Sequence, residues 1–198
     1  MDERNLAPVI YRWVATRDNA HLCSNSCSVC FCNEDYHAVI NFYPNNLVEL
    51  SVEDRCSKEI VFYLHFEIRD LKSSTEKIES FFKFLKHPPK KEQLNVDLIE
   101  NKQINILLSC TSGLTTSYFA YLMQEKMNKV HQNIKIDAVS FTKVDEVENQ
   151  YDYILLAPQI SYKYDEFKEK YGDKVMMMDT IDFASLNVDS VLNQIILN

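Results

Sequence analysis

Two rhythms of apolar and polar residues run along this chain, and the change falls near residue 88. Beyond it, short apolar runs alternate with stretches of helical period. Ile104 to Ser109 and Tyr153 to Ala157 are largely apolar and of strand length. Such runs suit parallel strands covered on both faces. Ile134 to Phe141 predicts a further strand, with Ile134, Ile136 and Ala138 alternating against polar residues, and Val175 to Met178 another. Between them, Thr116 to Val130 predicts a helix with Phe119, Leu122, Met123 and Met127 near one face. A short helix is expected over Lys143 to Asn149. Another covers Tyr162 to Tyr171, with Gly172 as its cap, and a last one covers Val188 to Leu197. Four strand–helix units predict an α/β fold: a four-stranded parallel sheet with flanking helices, flavodoxin-like in type, with right-handed crossovers. Ligands of such sheets bind at the carboxyl ends of the strands.

The first half reads as a small α+β domain. Ala38 to Phe42, Leu47 to Val52 and Ile60 to Ile68 form a three-stranded antiparallel meander, with Pro44-Asn45-Asn46 as a hairpin turn. Ser73 or Ser74 is placed to cap a helix that carries Ile78, Phe81, Phe82 and Leu85 on one face. Residues 1–36 show no clear period. The charged stretch Lys86 to Glu92 contains Pro88-Pro89, which breaks a helix and stiffens a connection. The expected organisation is therefore a domain at 1–88, a linker at 89–102 and a second domain at 103–198.

The chemistry of the second domain centres on Cys110. It ends the first apolar run and opens the loop Cys110-Thr111-Ser112-Gly113-Leu114-Thr115-Thr116-Ser117, after which a helix begins. A thiol at a strand end, small hydroxylated residues and a helix N-terminus make a cradle for an anion on the sulfur. The same surroundings favour a thiolate nucleophile. The chain has only two glycines. One is Gly113, where a backbone must come close to a ligand or take a positive φ. The alternative is a buried cysteine that merely ends a strand.

Composition narrows the setting. Of 198 residues 46% are hydrophobic and 25% charged, enough for a buried core. The net charge of −8 argues against a nucleic-acid surface, which needs clustered Lys and Arg. No apolar run approaches the ~20 residues of a membrane span. Met1 to Asn5 is polar and lacks the apolar core of a signal peptide. A cytoplasmic protein with reduced cysteines is the expectation.

Three segments carry a family resemblance across about residues 103–198. They are Ile106 to Ser117, Tyr153 to Tyr162 (with Ala157-Pro158-Gln159 at its centre) and Met178 to Ala184. In order and spacing they resemble the IIB component of the bacterial sugar phosphotransferase system, lactose/cellobiose type. The resemblance implies that Cys110 accepts a phosphoryl group from a phosphohistidine of a IIA component. Cys110 would then pass it to sugar at a membrane IIC component. It implies Thr111 to Ser117 as the phosphate cradle, Pro158, Gln159 and Tyr162 as the neighbouring wall, and no required cofactor. It also leaves room for a regulatory IIB-like module whose Cys110 phosphorylation senses sugar flux. A low-molecular-weight phosphatase is the rival for such a loop, but it needs arginine six residues after the cysteine. Here that residue is Thr116, and no Asp-Pro pair supplies a general acid.

A second cluster lies in the first half: Cys23, Cys27, Cys30 and Cys32, with His21, His37 and Cys56 nearby. Soft ligands at short spacing suggest zinc. The irregular spacing equally suits small hydrophobes in a loop-rich core, and a redox role is the third reading. Elsewhere, His65 is expected as a satisfied strand histidine and His131 as a helix cap. Met176 to Met178 is expected as core strand, and Asp145 to Glu148 as a solvated helix face.

Overall fold

The computed structural model describes residues 6–23, 27–89, 93–95, 103–130 and 133–196. It divides into two compact units, Met1–Pro88 and Pro89–Asn198. Most of the expected linker and His131 lie outside the described residues.

Among the described residues the first unit holds five antiparallel strands rather than three. They are β1 (Ala20–Leu22), β2 (Ser28–Cys32), β3 (Tyr36–Tyr43), β4 (Leu47–Asp54) and β5 (Ile60–Glu67), paired in simple sequence order. Asn45 and Asn46 both take left-handed φ in the β3–β4 turn, as a tight hairpin requires. A helix, α1 (Ala7–Ala15), precedes the sheet, with Pro8 in its first turn and Ile10 and Val14 buried. A second, α2 (Leu71–Lys86), follows it. Alternation puts Val29, Phe31, Ala38, Ile40, Val48, Leu50, Phe62 and Leu64 into the core. Phe81 of α2 meets Phe62 and Phe31 edge-on at ring separations of 5.7 and 6.3 Å. The buried face of α2 is Ser74, Lys77, Ile78, Phe81 and Phe84. Phe82 and Leu85, expected on that face, are only half-buried.

The cap of α2 is Asp70, not Ser73 or Ser74. Its carboxylate accepts the Ser73 amide at 2.7 Å and the Ser73 hydroxyl. These bonds, the hydroxyl's first, hold the Asp70 carboxyl below its ordinary value. A depressed folded value means the contribution is present above the unfolded carboxylate range and lost as pH falls. Asp70→Ala is therefore expected to destabilise the first unit by about 1 kcal/mol at neutral pH. The difference from wild type should shrink below about pH 4. Urea unfolding followed by Trp13, the only tryptophan, checks this; a deficit that persists undiminished in acid would refute it.

On the outer face of this sheet a polar row crosses four strands, because Ser28, Asn41, Glu49 and His65 are successive cross-strand partners. Ser28 Oγ donates to Asn41 Oδ1 at 2.7 Å, and Asn41 Nδ2 donates to Glu49 Oε1 at 3.0 Å. Tyr63 donates to Glu49 Oε2 at 2.9 Å, and burial together with this bond pushes its hydroxyl up to about 12. His65 is thus a strand histidine as expected, but its buried Nδ1 has no hydrogen-bond partner among the described residues.

Cys23 and Cys30 are joined in a disulfide with Cα atoms 6.2 Å apart. This corrects the expectation of reduced thiols and uses up two of the four cysteines considered as zinc ligands. Cys27 and Cys32 remain exposed. Among the described residues no group of three or more His, Cys, Asp or Glu side chains is arranged to hold a metal ion.

The second unit is a four-stranded parallel sheet of β6 (Ile104–Cys110), β7 (Ile134–Ser140), β8 (Tyr153–Leu156) and β9 (Val175–Met177), in the order β7-β6-β8-β9. Its helices are α3 (Leu114–Lys129), the short α4 (Val144–Val147), α5 (Tyr164–Tyr171), α6 (Thr180–Ala184) and α7 (Val188–Ile196). Leu107, Ile154, Leu156 and Val175 meet Val144, Ile160 and Phe167 in one buried cluster. Elsewhere in the unit, Phe119 of α3 stacks on Phe183 of α6 at 5.6 Å. Gly172, at φ +67, ends α5 as expected. The sequence pattern does not predict α6; its cap is Asp179, which accepts the amides of Ile181 and Asp182. In the acidic run Asp145 and Glu146 are exposed as expected, Asp145 making a surface pair with Lys170, whereas Glu148 is half-buried against Lys174. Met176 and Met177 are half-buried and Met178 is buried. Among the described residues no helix is long and apolar enough to cross a membrane.

Candidate functional site

β6 is central, and the chain leaves it first towards β7 on one side and later continues through β8 on the other. The reversal of direction lies between β6 and β8, where an open parallel sheet has its crevice. The carboxyl end of β6 is Cys110. That of β8 leads straight into Ala157-Pro158-Gln159, and the Ala157 amide donates to the Ser109 carbonyl at 2.8 Å. Strand topology alone thus brings both segments to one edge.

The sulfur of Cys110 is almost wholly enclosed, the residue being 1% exposed. Two groups hold it. The Gly113 amide donates to Sγ at 3.1 Å, and the Thr116 hydroxyl lies 3.2 Å from Sγ. Thr116 is fully buried and also donates to the Gly113 carbonyl at 3.2 Å. A hydroxyl has one proton. With a thiol, Cys110 donates to Thr116, which donates onward to Gly113; with a thiolate, the Thr116 proton turns to the sulfur. The loop therefore offers the charged sulfur two donors without moving a backbone atom.

Gly113 is fixed by two separate demands. It is the N-cap of α3 at φ +85 and ψ −15, a region costly to any residue with a Cβ. A Cβ there would also lie 3.3 Å from the Ser140 nitrogen and 3.4 Å from the Val139 carbonyl carbon, both backbone. The loop is thus pressed against the end of β7. The Ser140 hydroxyl ties the two together by donating to the Thr111 carbonyl at 2.8 Å, with the Thr142 hydroxyl 3.1 Å away. Behind Gly113, α3 runs for 16 residues with no acidic residue in its first turn. The first amides of a helix lack helical acceptors and carry its positive end, which suits an anion on the sulfur.

The other expected residues fall in different places. Thr111 and Ser112 are exposed at the rim, and Thr115 is half-buried. The Ser117 hydroxyl turns back to the Gly113 carbonyl at 2.6 Å, so here it braces the turn. Pro158 and Gln159 are buried at the start of a 3-10 turn, and Gln159 Oε1 has no hydrogen-bond partner among the described residues. Tyr162 is half-buried and packs on the Leu107–Val144–Ile160 cluster. Ser140 was not foreseen. The signal for it is register: in a parallel sheet the last residue of β7 stands beside the last of β6, and Ser140 pairs with Cys110.

Residues 105–194 match the family described as the lactose/cellobiose-specific IIB subunit of the PTS system. The oligo-beta-mannoside-specific EIIB component of Bacillus subtilis (strain 168) is 30% identical over 80 residues, which is 40% of this chain and 78% of that protein. The chain belongs to the lactose/cellobiose-specific IIB family. A lactose-specific EIICB component of Streptococcus mutans is 25% identical over 91 residues, 44% of this chain and 16% of its own length. The solution structure of a cellobiose-specific IIB component from Borrelia burgdorferi is 30% identical, with a TM-score of 0.42 over 49% of this chain and 91% of the other. The second unit is thus a IIB domain, and its general chemistry is phosphotransfer in sugar uptake.

Proposed function

We propose that Cys110 is the phosphoryl carrier of this IIB domain, taking phosphate from a IIA phosphohistidine and giving it to sugar at a IIC component. The observation that supports this most directly is the enclosed sulfur held by the Gly113 amide and the Thr116 hydroxyl at the N-terminus of α3. In the first step the thiolate attacks phosphorus, the P–S bond forms and the P–N bond breaks. The electron pair returns to the imidazole, and the loop amides take the three phosphoryl oxygens. In the second step a sugar hydroxyl attacks the same phosphorus, the P–O bond forms, the P–S bond breaks, and the hydroxyl's proton goes with the released sulfur. With Thr116 where a phosphatase has arginine, no guanidinium fork stabilises attack by water. The carrier is proposed to work in the cytoplasm, beside a membrane partner of the IIC type.

A second reading has its own support. The whole first unit lies outside the matched residues 105–194, and a carrier alone has no use for it. In that reading Cys110 phosphorylation reports sugar flux to the first unit.

Intact mass after incubation with phosphoenolpyruvate, the general phosphotransferase proteins and a lactose/cellobiose-type IIA tests the shared first step. One added phosphoryl group is expected in wild type and none in Cys110→Ser. Adding a IIC component and sugar then separates the readings, because a carrier loses the group to sugar and a sensor keeps it. No label with several competent IIA donors would refute both.

A further inference from the structure

Four of the six cysteines lie within residues 23–32, and phosphotransfer uses none of them. The Cys23–Cys30 bond spans the β1–β2 hairpin. Both of its cysteines are half-buried, beside a strand at the edge of the sheet. β1 is a three-residue edge strand, and its Ala20, His21 and Leu22 contribute no buried side chain. Along β2, Cys30 and Cys32 alternate with buried Val29 and Phe31, so both lie on the outer face of the sheet. Cys27, inside the segment the bond closes, carries an exposed thiol, as does Cys32. A disulfide stabilises by restricting the unfolded chain, and a separation of seven residues restricts it less than a longer loop would. A half-buried disulfide at a sheet edge that guards no core is still within reach of a small thiol.

We propose that Cys23–Cys30 is an exchangeable disulfide, a modification site for low-molecular-weight thiols on the outer face of the first unit, with Cys27 as its resident attacking thiol. In the internal reaction the Cys27 thiolate attacks the Cys23 sulfur. The Cys23–Cys27 bond forms, the Cys23–Cys30 bond breaks, and the electron pair leaves on Cys30, which takes the proton Cys27 gave up. Nothing is oxidised or reduced overall. With a small external thiol, a first molecule forms a mixed disulfide and frees one cysteine. A second displaces the first as its symmetrical disulfide. The protein bond then gains two electrons and two protons, and the two small thiols are oxidised. Opening the bond leaves β1 held by backbone pairing alone and makes Ser28–Cys32 the next sheet edge.

The test uses the folded full chain in mixtures of reduced and oxidised glutathione, quenched in acid, alkylated and mapped by peptide mass. Cys56, exposed in the β4–β5 turn, serves as the labelled reference in reduced glutathione. In excess reduced glutathione, Cys23 and Cys30 should each gain one label, and oxidised glutathione should remove both. Amide exchange across Ala20–Leu22 should then quicken about 10-fold, with α2 unchanged. Without added thiol above neutral pH, a Cys23–Cys27 linked peptide should appear in wild type. Labelling of Cys23 and Cys30 only after denaturation would overturn the proposal, as would labelling of Cys23 in protein that has met no thiol. Absence of the Cys23–Cys27 peptide would overturn the role of Cys27.

Discussion

Gly113→Ala should cost the IIB domain about 2 kcal/mol of stability and at least ~10-fold in phosphoryl acceptance. Two costs add because they arise separately. A left-handed φ of +85 is strained for alanine wherever it sits. The new Cβ also crowds the Ser140 nitrogen, a backbone atom that cannot swing away as a flexible side-chain end could. Relief comes only by moving the loop or the end of β7. Either shift pulls the Gly113 amide from its 3.1 Å contact with the sulfur. Urea unfolding followed by far-ultraviolet dichroism reads the first effect, and phosphorylation rate by intact mass reads the second. Full acceptance in a stable Gly113→Ala protein would mean that this amide is not a working donor.

Thr116→Val should slow acceptance by about 10- to 100-fold, with Thr116→Ser close to wild type. Valine keeps the shape and removes only the hydroxyl. The Gly113 carbonyl still has the Ser117 hydroxyl at 2.6 Å, so the turn keeps one brace. The sulfur keeps one donor instead of two. Stability should fall by no more than about 1–2 kcal/mol, the range for one buried hydrogen bond. Rescue by serine separates the hydroxyl from packing, because serine lacks the methyl group. Equal loss in both variants would assign Thr116 to packing alone.

How much of this could be read in the sequence differs between the halves for physical reasons. Parallel strands buried on both faces leave dense apolar runs, so β6 and β8 stand out and Cys110 is visible at the end of the first. Helix α6 is five residues long, too short for a period, and only its Asp179 cap marks it. In the first half, β2 does alternate, but its outward positions are Ser28, Cys30 and Cys32 and its inward ones only Val29 and Phe31. Dense cysteines read there as ligands rather than as one face of a strand. Pro8 concealed α1 because proline stops a helix interior yet suits a first turn. The buried stripe of α2 ends on Phe84 rather than Phe82, a choice made by the rings of Phe62 and Tyr36. Ser140 depends on strand register, and the Cys23–Cys30 bond on hairpin pairing. Both are contacts between segments, which spacing along one segment does not contain.

The enclosure of Cys110 also sets the order in which its thiols meet a reagent. Cys27, Cys32 and Cys56 stand open to solvent, while the sulfur of Cys110 is shut behind Gly113 and Thr116. A small indiscriminate electrophile is consumed at the surface of the first unit before it finds the sulfur in the IIB domain. Selectivity among chemically identical thiols is then a matter of admission, decided by what can be handed into the loop rather than by which sulfur is the stronger nucleophile.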